Sequence, residues 1–204
     1  LQARCPETLV RTYAMHWPNY QRETARNIRR SPFYHRLREQ GACFTETQGW
    51  ERPGWYAPEG ITPQYDYSFG RQNWFEYALD EQRAARERVA IVDYSMLGKI
   101  SVEGVGAEAF LQRVCTNNMA MACGRIAYTL LLNERGGIES DVTVARYADD
   151  HFMVMSSIAR TRRDYLWLAA LIEPEEQVKL RDETASLGVL GVMGPQSRAL
   201  MTAV

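Results

Sequence analysis

Hydrophobic and polar positions follow clear periods only from about residue 74 onwards. Period-two alternation predicts strands at residues 99–103, 125–133, 138–146 and 151–156, with two further strands near 177–181 and 187–193. A 3.6-residue period predicts helices at residues 75–89, 107–115 and 161–171. Strands that follow one another without a helix between each pair favour an antiparallel sheet with helices packed on it, which is an α+β fold.

A glycine pair separates two of these strands. Gly136 and Gly137 predict a tight hairpin because glycine adopts positive φ at low cost. The returning strand carries one acid, Asp141, directly before three β-formers. Since Asp is depleted in strands, Asp141 is either a solvated strand residue or is there for its chemistry, and the residues alone leave both interpretations open.

The first 70 residues have weak periodicity. We predict a short helix at residues 31–40, capped by Ser31 and closed by Gly41, with Pro32 in its first position. Residues 48–58 contain so many Pro and Gly residues that we expect no regular element there, only packing through aromatic rings. The sequence therefore predicts an irregular aromatic and proline-rich linker or wrapping segment over residues 1–70 and a folded domain over 71–204.

Composition narrows the classes of function. Of 204 residues, 46% are hydrophobic and 24% charged, and the net charge of -1 offers no electrostatic basis for binding nucleic acid or an anionic membrane. Apolar runs are far shorter than the roughly 20 residues of a membrane span, so we expect a soluble protein without a membrane partner. The chain starts at Leu1 without Met and stops within a helical pattern, so we expect a piece of a longer protein.

Metal binding is not expected from the spacing of the candidate ligands. No CxxC pair occurs among the cysteines, and no HxxxH pair among the histidines, so we expect reduced thiols and no metal site. The residues concerned are Cys5, Cys43, Cys115, Cys123, His16, His35 and His151. The pair Gly104 and Gly106 lacks the third glycine and the βαβ setting of a dinucleotide fingerprint, so it predicts a turn and not an FAD site.

Several blocks in order resemble the folate-binding domain of the glycine cleavage T-protein (aminomethyltransferase) superfamily. They are VDYSMLGKISVEG at 92–104, LQRVCTNN at 111–118, GRIAYTLLLNERGGIESDVTVARY at 124–147 and LGVMGPQSRALM at 190–201. The preceding region, with GWERPGWYAPEG and YSFGRQNWFE, resembles the linker of dimethylglycine and sarcosine dehydrogenases. That resemblance implies a truncated T-protein-like domain behind an upstream FAD domain and before a downstream barrel domain.

The resemblance also implies roles for particular residues. The family motif after the hairpin is GGI-x-D-D, whose second Asp faces the pteridine of tetrahydrofolate; Asp141 matches it, and Ser140 replaces the first Asp. We therefore expect Asp141 to be a partly buried general base or charge-stabilising group. Tyr128 would lie beside the pterin, the alternative being a core tyrosine, and Leu97 would supply an apolar wall.

Neighbouring positions imply less. Met96 stands where T-proteins commonly carry His, and Asn117 and Asn118 match a family turn that we interpret as a helix-ending cap. The basic residues Arg26, Arg29 and Arg30 could attract a folate polyglutamate tail, but a solvated face or a domain contact is favoured.

The resemblance implies a function in one-carbon metabolism. The chain would bind tetrahydrofolate and transfer to it the one-carbon unit of the iminium intermediate that forms when a small amine such as dimethylglycine or sarcosine is oxidised. FAD would be held upstream, and the protein would lie in the bacterial cytoplasm or the mitochondrial matrix. Two alternatives stay open: a folate-binding regulatory module without transfer chemistry, and a structural partner of the flavin domain. We expect the chain alone to bind folate weakly or not at all and to lack amine oxidation.

Overall fold

Helices and strands follow one another along the chain, which the computed structural model describes over residues 2–204. They are α1 (Arg4–Arg11), α2 (Tyr34–Glu39), β1 (Ala42–Thr47), β2 (Trp50–Tyr56), α3 (Phe75–Glu87), β3 (Ala90–Asp93), β4 (Gly98–Glu103), α4 (Ala107–Val114), β5 (Ile126–Leu132), β6 (Ile138–Ala148), β7 (His151–Ser156), α5 (Thr161–Ala170), β8 (Lys179–Asp182), β9 (Leu190–Met193) and α6 (Ser197–Thr202). These elements belong to two units: Leu1–Ser95 with Gly188–Val204, here the hairpin unit, and Met96–Leu187, here the sheet unit.

The sheet unit is built on five antiparallel strands in the order β5-β6-β7-β4-β8. Its hairpin turns at Gly136, whose φ is 75°, and Asn133 Oδ1 accepts the Gly137 N–H at 2.9 Å. Strand alternation sends every second residue to one face, as the period-two pattern predicts. The α+β fold expected from the sequence is therefore confirmed.

One face of this sheet and two helices form the core. Helix α4 contributes Phe110 and Leu111, and α5 contributes Leu168, all with 0% exposure. The buried residues that share this cluster on the strands are Ile100, Val102, Leu131, Val142, Val144, Phe152 and Val154. On the opposite face, Lys99, Ser101 and Met153 of the central strands are also buried, whereas Tyr128 of β5 and Asp141 of β6 are exposed.

The turn between β4 and α4 depends on glycine. Gly104 has a φ of +124°, and a Cβ there would lie 2.0 Å from the Gln177 carbonyl oxygen. Helix α4 begins at Ala107 directly after it. The segment is a structural turn, as its sequence predicts.

The hairpin unit contains two separate strand pairs. Strands β1 and β2 form an antiparallel hairpin with a register shift between Cys43 and Phe44, and β3 pairs with β9. Trp55 is fully buried and stacks on Tyr77 of α3 with ring centroids 5.6 Å apart. Aromatic packing between β2 and α3 therefore helps to organise this unit.

The expectation of no regular element at residues 48–58 was wrong, because β2 runs through them. Pro53 is tolerated since it lies in a two-stranded sheet, opposite the shifted register at Phe44. Gly54 lets the strand approach a tyrosine: a Cβ there would lie 2.0 Å from the Tyr65 hydroxyl. Pro53 and Gly54, residue types that usually interrupt strands, are therefore compatible with an edge strand at this place.

Helix α2 is shorter than predicted. It begins at Tyr34 rather than at Pro32, and the Ser31 hydroxyl accepts the Phe33 N–H at 3.2 Å without capping the helix. Gly41 closes the segment with a φ of 85°. Helix α6 begins at Ser197, two residues after Pro195.

Residues 2–204 contain neither a membrane-spanning helix nor a cluster of metal ligands. None of the helices described there is long and apolar enough to cross a membrane. Over the same residues, no group of three or more His, Cys, Asp or Glu side chains is arranged to hold a metal ion.

Candidate functional site

Asp141 and Tyr128 are exposed on the face of β5 and β6 that points away from the core of α4 and α5. On β6, Ser140, Val142 and Val144 are buried with 3%, 2% and 0% exposure, whereas Asp141 between them is exposed. On β5, Tyr128 is 61% exposed. The alternation that builds the core therefore also places both side chains on the opposite face.

A hydrogen bond joins the two side chains. The Tyr128 hydroxyl donates to Asp141 Oδ2 at 3.1 Å. The strand register explains this contact, because Tyr128 pairs with Thr143 and Leu130 with Asp141, which makes the two residues diagonal neighbours. The second carboxylate oxygen, Oδ1, is available for a ligand donor in addition to this bond.

The pair changes the acidity of the phenol. The hydrogen bond to Asp141 raises the pKa of Tyr128 above its ordinary value of 10.0, and the nearby negative charge acts in the same direction. Deprotonation would place two negative charges side by side. Tyr128 therefore stays a hydrogen-bond donor at neutral pH.

Two expectations about this pair need correction. Asp141 was expected to be partly buried, but it is exposed, because β6 turns it away from the helices. The alternative interpretation of Tyr128 as a core tyrosine is also wrong, since the ring is mostly exposed. A large aromatic ring on an open face beside a carboxylate is a feature typical of recognition surfaces.

Leu97 lies in the segment just before β4 and is half-buried. Its carbonyl accepts a hydrogen bond at 2.9 Å from Nζ of Lys99, a lysine with only 2% exposure. Gly98 pairs with Ser156 at the same end of the sheet that carries Asp141. The described contacts join Tyr128 with Asp141 but do not include one from Leu97 to either residue.

The Asn117 side chain is anchored to a strand instead of ending a helix. Helix α4 ends at Val114, and Asn117 Nδ2 donates to the Tyr128 carbonyl at 3.0 Å. The Asn117 backbone N–H also binds the Thr129 hydroxyl, while Asn118 accepts the Ala120 N–H. Asn117 thus supports the strand that presents Tyr128, which corrects its interpretation as a cap.

A buried polar network behind Asp141 was missed from the sequence. Asp164 of α5 is 1% exposed and accepts hydrogen bonds from Ser140, at 2.8 Å, and from Ser156. One signal did exist: Asp164 lies four residues before Leu168 and seven before Leu171, on the buried stripe of the helix.

Arg26 is engaged within the hairpin unit. Its guanidinium forms an ion pair with Glu51, a residue 4% exposed, and donates to the Phe44 carbonyl at 3.0 Å. Arg30 packs over the Tyr34 ring. The structural interpretation of this basic cluster is therefore favoured for Arg26 and Arg30 over a contact with a folate tail.

Comparison with protein families matches almost the whole chain. The family model described as "GCVT N-terminal domain" matches residues 33–204, and the model described as "FAD dependent oxidoreductase central domain" matches residues 1–31. The crystal structure of glycine cleavage system aminomethyltransferase T from Bartonella henselae covers 87% of the chain with a TM-score of 0.65 at 24% identity. That structure, of which the match spans 44%, supports the fold alone.

Curated relatives are longer proteins. The chain is 43% identical over 204 residues to 4-methylaminobutanoate oxidase (formaldehyde-forming) of Paenarthrobacter nicotinovorans, and 28% identical over 242 aligned residues to human mitochondrial sarcosine dehydrogenase. It is 29% identical over 202 residues to the mouse mitochondrial pyruvate dehydrogenase phosphatase regulatory subunit. These matches cover 100%, 100% and 97% of the chain, but the chain spans only 25%, 26% and 23% of the respective relatives.

Proposed function

Since the chain belongs to the family described as the GCVT N-terminal domain, we propose that it binds tetrahydrofolate and serves the transfer of a one-carbon unit to it. The observation that supports this most strongly is the hydrogen-bonded pair formed by two exposed side chains, Tyr128 and Asp141. The T-protein resemblance assigns both positions to folate, and their side chains are in direct contact.

The chemistry of the pair fits a reduced pterin. A pterin is flat and rich in N–H donors, so it can be bound by an exposed tyrosine ring and by a carboxylate oxygen. Tyr128 occupies Asp141 Oδ2 and leaves Oδ1 to accept a ligand proton donor. Leu97, half-buried and preceding β4, is proposed as an apolar part of the wall.

Each group has a distinct part in the proposed reaction. Bound tetrahydrofolate supplies the nitrogen nucleophiles that accept the one-carbon unit. Asp141 accepts a proton from the bound ligand or stabilises positive charge next to it, a contribution of about 10²-fold by general base catalysis. Tyr128 orients the Asp141 carboxylate through its phenol and keeps its own proton, in line with its raised pKa.

We place the flavin chemistry outside this chain. The match of residues 1–31 to an FAD-dependent oxidoreductase model supports an FAD domain that precedes this sequence in a longer polypeptide. Residues 1–70 would then join and pack on that domain, and residues 71–204 would begin the folate domain, followed by a barrel domain. The relatives are bacterial or mitochondrial, and we propose a bacterial cytoplasm or a mitochondrial matrix.

The proposed amine is an N-methylated amino acid. The names of the 43% and 28% identical relatives refer to 4-methylaminobutanoate and sarcosine, both secondary N-methyl amines that bear a carboxylate. Dimethylglycine is a tertiary amine, but it is likewise an N-methylated amino acid. The contacts that choose among these amines would lie mainly in the flavin domain.

Two observations support competing functions. One relative is named formaldehyde-forming, which favours release of the one-carbon unit as formaldehyde without capture by folate. Another is named a regulatory subunit, which favours a module without transfer chemistry. The contact between Tyr128 and Asp141 supports a folate function over release of formaldehyde and over a purely structural partner of the flavin domain, because neither of these requires the pair. A folate-binding regulatory module would use the same pair, and measurement of one-carbon capture separates it from the proposed function.

Folate binding at the sheet face is tested by equilibrium titration of 5-formyltetrahydrofolate into the complete polypeptide. We expect Tyr128→Ala and Asp141→Asn each to weaken binding about tenfold, the loss of a well-placed aromatic or charged contact. Tyr147→Ala removes another exposed tyrosine, 56% accessible on β6, and serves as the control. Equal affinity in all four proteins would place the folate site elsewhere.

A further inference from the structure

Helix α5 is hydrogen-bonded to β6, the strand that carries Asp141, on the face opposite to the Asp141 side chain. Asp164 lies in the first turn of α5 with 1% exposure, and its Oδ2 atom accepts both the Ser140 and the Ser156 hydroxyls. Ser140 directly precedes Asp141 on β6, whereas Ser156 ends β7. A buried carboxylate satisfied by two hydroxyl donors fixes the donors in one arrangement.

Two arginines bind Glu139, the residue before Ser140: Arg163 of the same turn, and Arg160, which directly precedes α5. Arg163 Nη1 donates to the Glu139 carbonyl at 2.7 Å, and Arg160 Nη2 donates to the same oxygen. The Glu139 carboxylate pairs with Arg163 and accepts Asn133 Nδ2 at 2.8 Å. Residue 139 is therefore restrained through both its backbone and its side chain.

We propose that the first turn of α5, with Asp164 at its centre, is a positioning device that sets the place of the Asp141 carboxylate. Asp164 does not touch the ligand face, so it acts through Ser140 and the β6 backbone and is a positioning residue. This inference rests on the proposed function, because it assigns a role in the same site.

The Asp141 carboxylate requires restraint through the backbone because its side chain is exposed. Its carboxylate accepts a hydrogen bond from Tyr128, which is itself an exposed residue. Solvent-facing strand residues on their own are held only by their backbone, and a misplacement of about 1 Å at a reacting group can cost on the order of 10²-fold in rate. Restraining residues 139 and 140 limits that movement.

The network also accounts for Ser140 in place of the family aspartate. An Asp at residue 140 would direct a second carboxylate at Asp164 in the core, where two like charges are costly. Ser140 instead donates a proton to Asp164 at 2.8 Å. Asp164 further benefits from its place in the first turn of α5, since the amino end of a helix favours negative charge.

A matched pair of variants separates positioning from stability. Ser140→Ala and Ser156→Ala each remove one hydroxyl donor to the same Asp164 oxygen. In the complete polypeptide we expect Ser140→Ala to lower the fraction of one-carbon unit captured by tetrahydrofolate about tenfold, and Ser156→Ala about twofold or less. Amine oxidation should be unchanged in both.

The pKa of the Tyr128 phenol provides a second measurement, which does not depend on catalysis. Its raised pKa depends on the contact with Asp141, so displacement of Asp141 should return the pKa towards 10.0. Ring-carbon NMR of labelled tyrosine, assigned with Tyr128→Phe, should show this fall for Ser140→Ala and Asp164→Asn. Leu168→Ala, which removes a fully buried side chain one turn further along α5, is the control for lost stability alone and should leave it raised.

Three outcomes decide the matter. The inference is overturned if Ser140→Ala and Ser156→Ala lower capture equally, or if the Tyr128 pKa stays raised in Asp164→Asn. It is also overturned if Leu168→Ala reproduces the Asp164→Asn effects at equal stability. The proposed function fails separately, if Asp141→Asn itself captures as well as the unchanged protein.

Discussion

At the scale of single residues, the role proposed for Asp141 depends on its position and its charge. It is exposed on β6, so its carboxylate is not set apart from water within this chain. The structure shows how the carboxylate is oriented: the Tyr128 hydroxyl donates to its Oδ2 atom at 3.1 Å and not to its Oδ1 atom. A charged acceptor that is fixed in place contributes more to a reaction than one that must reorganise.

The cysteines give a residue-scale prediction. Burial raises the pKa of Cys43 to about 11 and of Cys115 to about 12, whereas Cys5 and Cys123 are exposed. Since the thiolate is the reactive form, iodoacetamide at pH 8 should modify the exposed pair quickly and the buried pair only after denaturation. Mass spectrometry of the peptides checks this, and rapid native labelling of Cys115 would contradict its burial.

Some site residues were predictable from the sequence and others were not. Asp141 and Tyr128 share a face because β5 and β6 alternate regularly, and the T-protein resemblance had named both as candidates. The exposure of Asp141 was not foreseen, because a strand pattern shows that two faces exist but not which one the helices cover. Asp164 was missed because an acid in a first helical turn usually faces solvent.

At the scale of elements, the β1–β2 hairpin shows how a breaker-rich sequence becomes regular structure. Pro53 lacks an N–H, which an edge strand does not need on its outer side. Arg29 pairs with Trp50 outside the hairpin, and the Glu51 N–H donates to the Arg29 carbonyl at 2.9 Å. These pairings join distant residues, so local composition at residues 48–58 did not indicate them.

The buried Glu51 gives the element-scale prediction. Burial alone would raise its pKa, but hydrogen bonds from Arg26 and the Asn27 N–H, with the arginine charge, lower the pKa below 4.5. A lowered folded pKa means that this stabilisation is present above about pH 4.5 and is lost as the pH falls through the folded value. Glu51→Gln should lower the free energy of unfolding by about 2 kcal/mol at pH 7 and by less at acidic pH.

Denaturant unfolding at pH 7 and at pH 3.5 measures this difference. The exposed pair of Arg71 and Glu76, with side chains 69% and 61% accessible, provides the control variant Glu76→Gln, for which we expect little change at either pH. A Glu51→Gln cost that is the same at both pH values would show that the Glu51 charge does not stabilise the hairpin unit.

At the scale of the whole molecule, family boundaries and compact units divide the chain differently. The GCVT N-terminal domain match starts at residue 33, whereas the sheet unit spans Met96–Leu187. Residues Gly188–Val204 belong to the hairpin unit because β9, which lies among them, pairs with β3 of that unit. Strand partners need not be neighbours in sequence. Periodicity predicted most strands of the sheet but not this distant pairing.

The central claim is that Asp141 serves capture of the one-carbon unit by tetrahydrofolate. The most direct measurement is the partition of product between methylenetetrahydrofolate and free formaldehyde in the complete polypeptide, with N-methylated amino acid as substrate. Asp150→Asn, an exposed acid in the β6–β7 turn, is the control. We predict a fall in captured product of about 10²-fold for Asp141→Asn alone, with amine oxidation unchanged; undiminished capture by Asp141→Asn would contradict the claim.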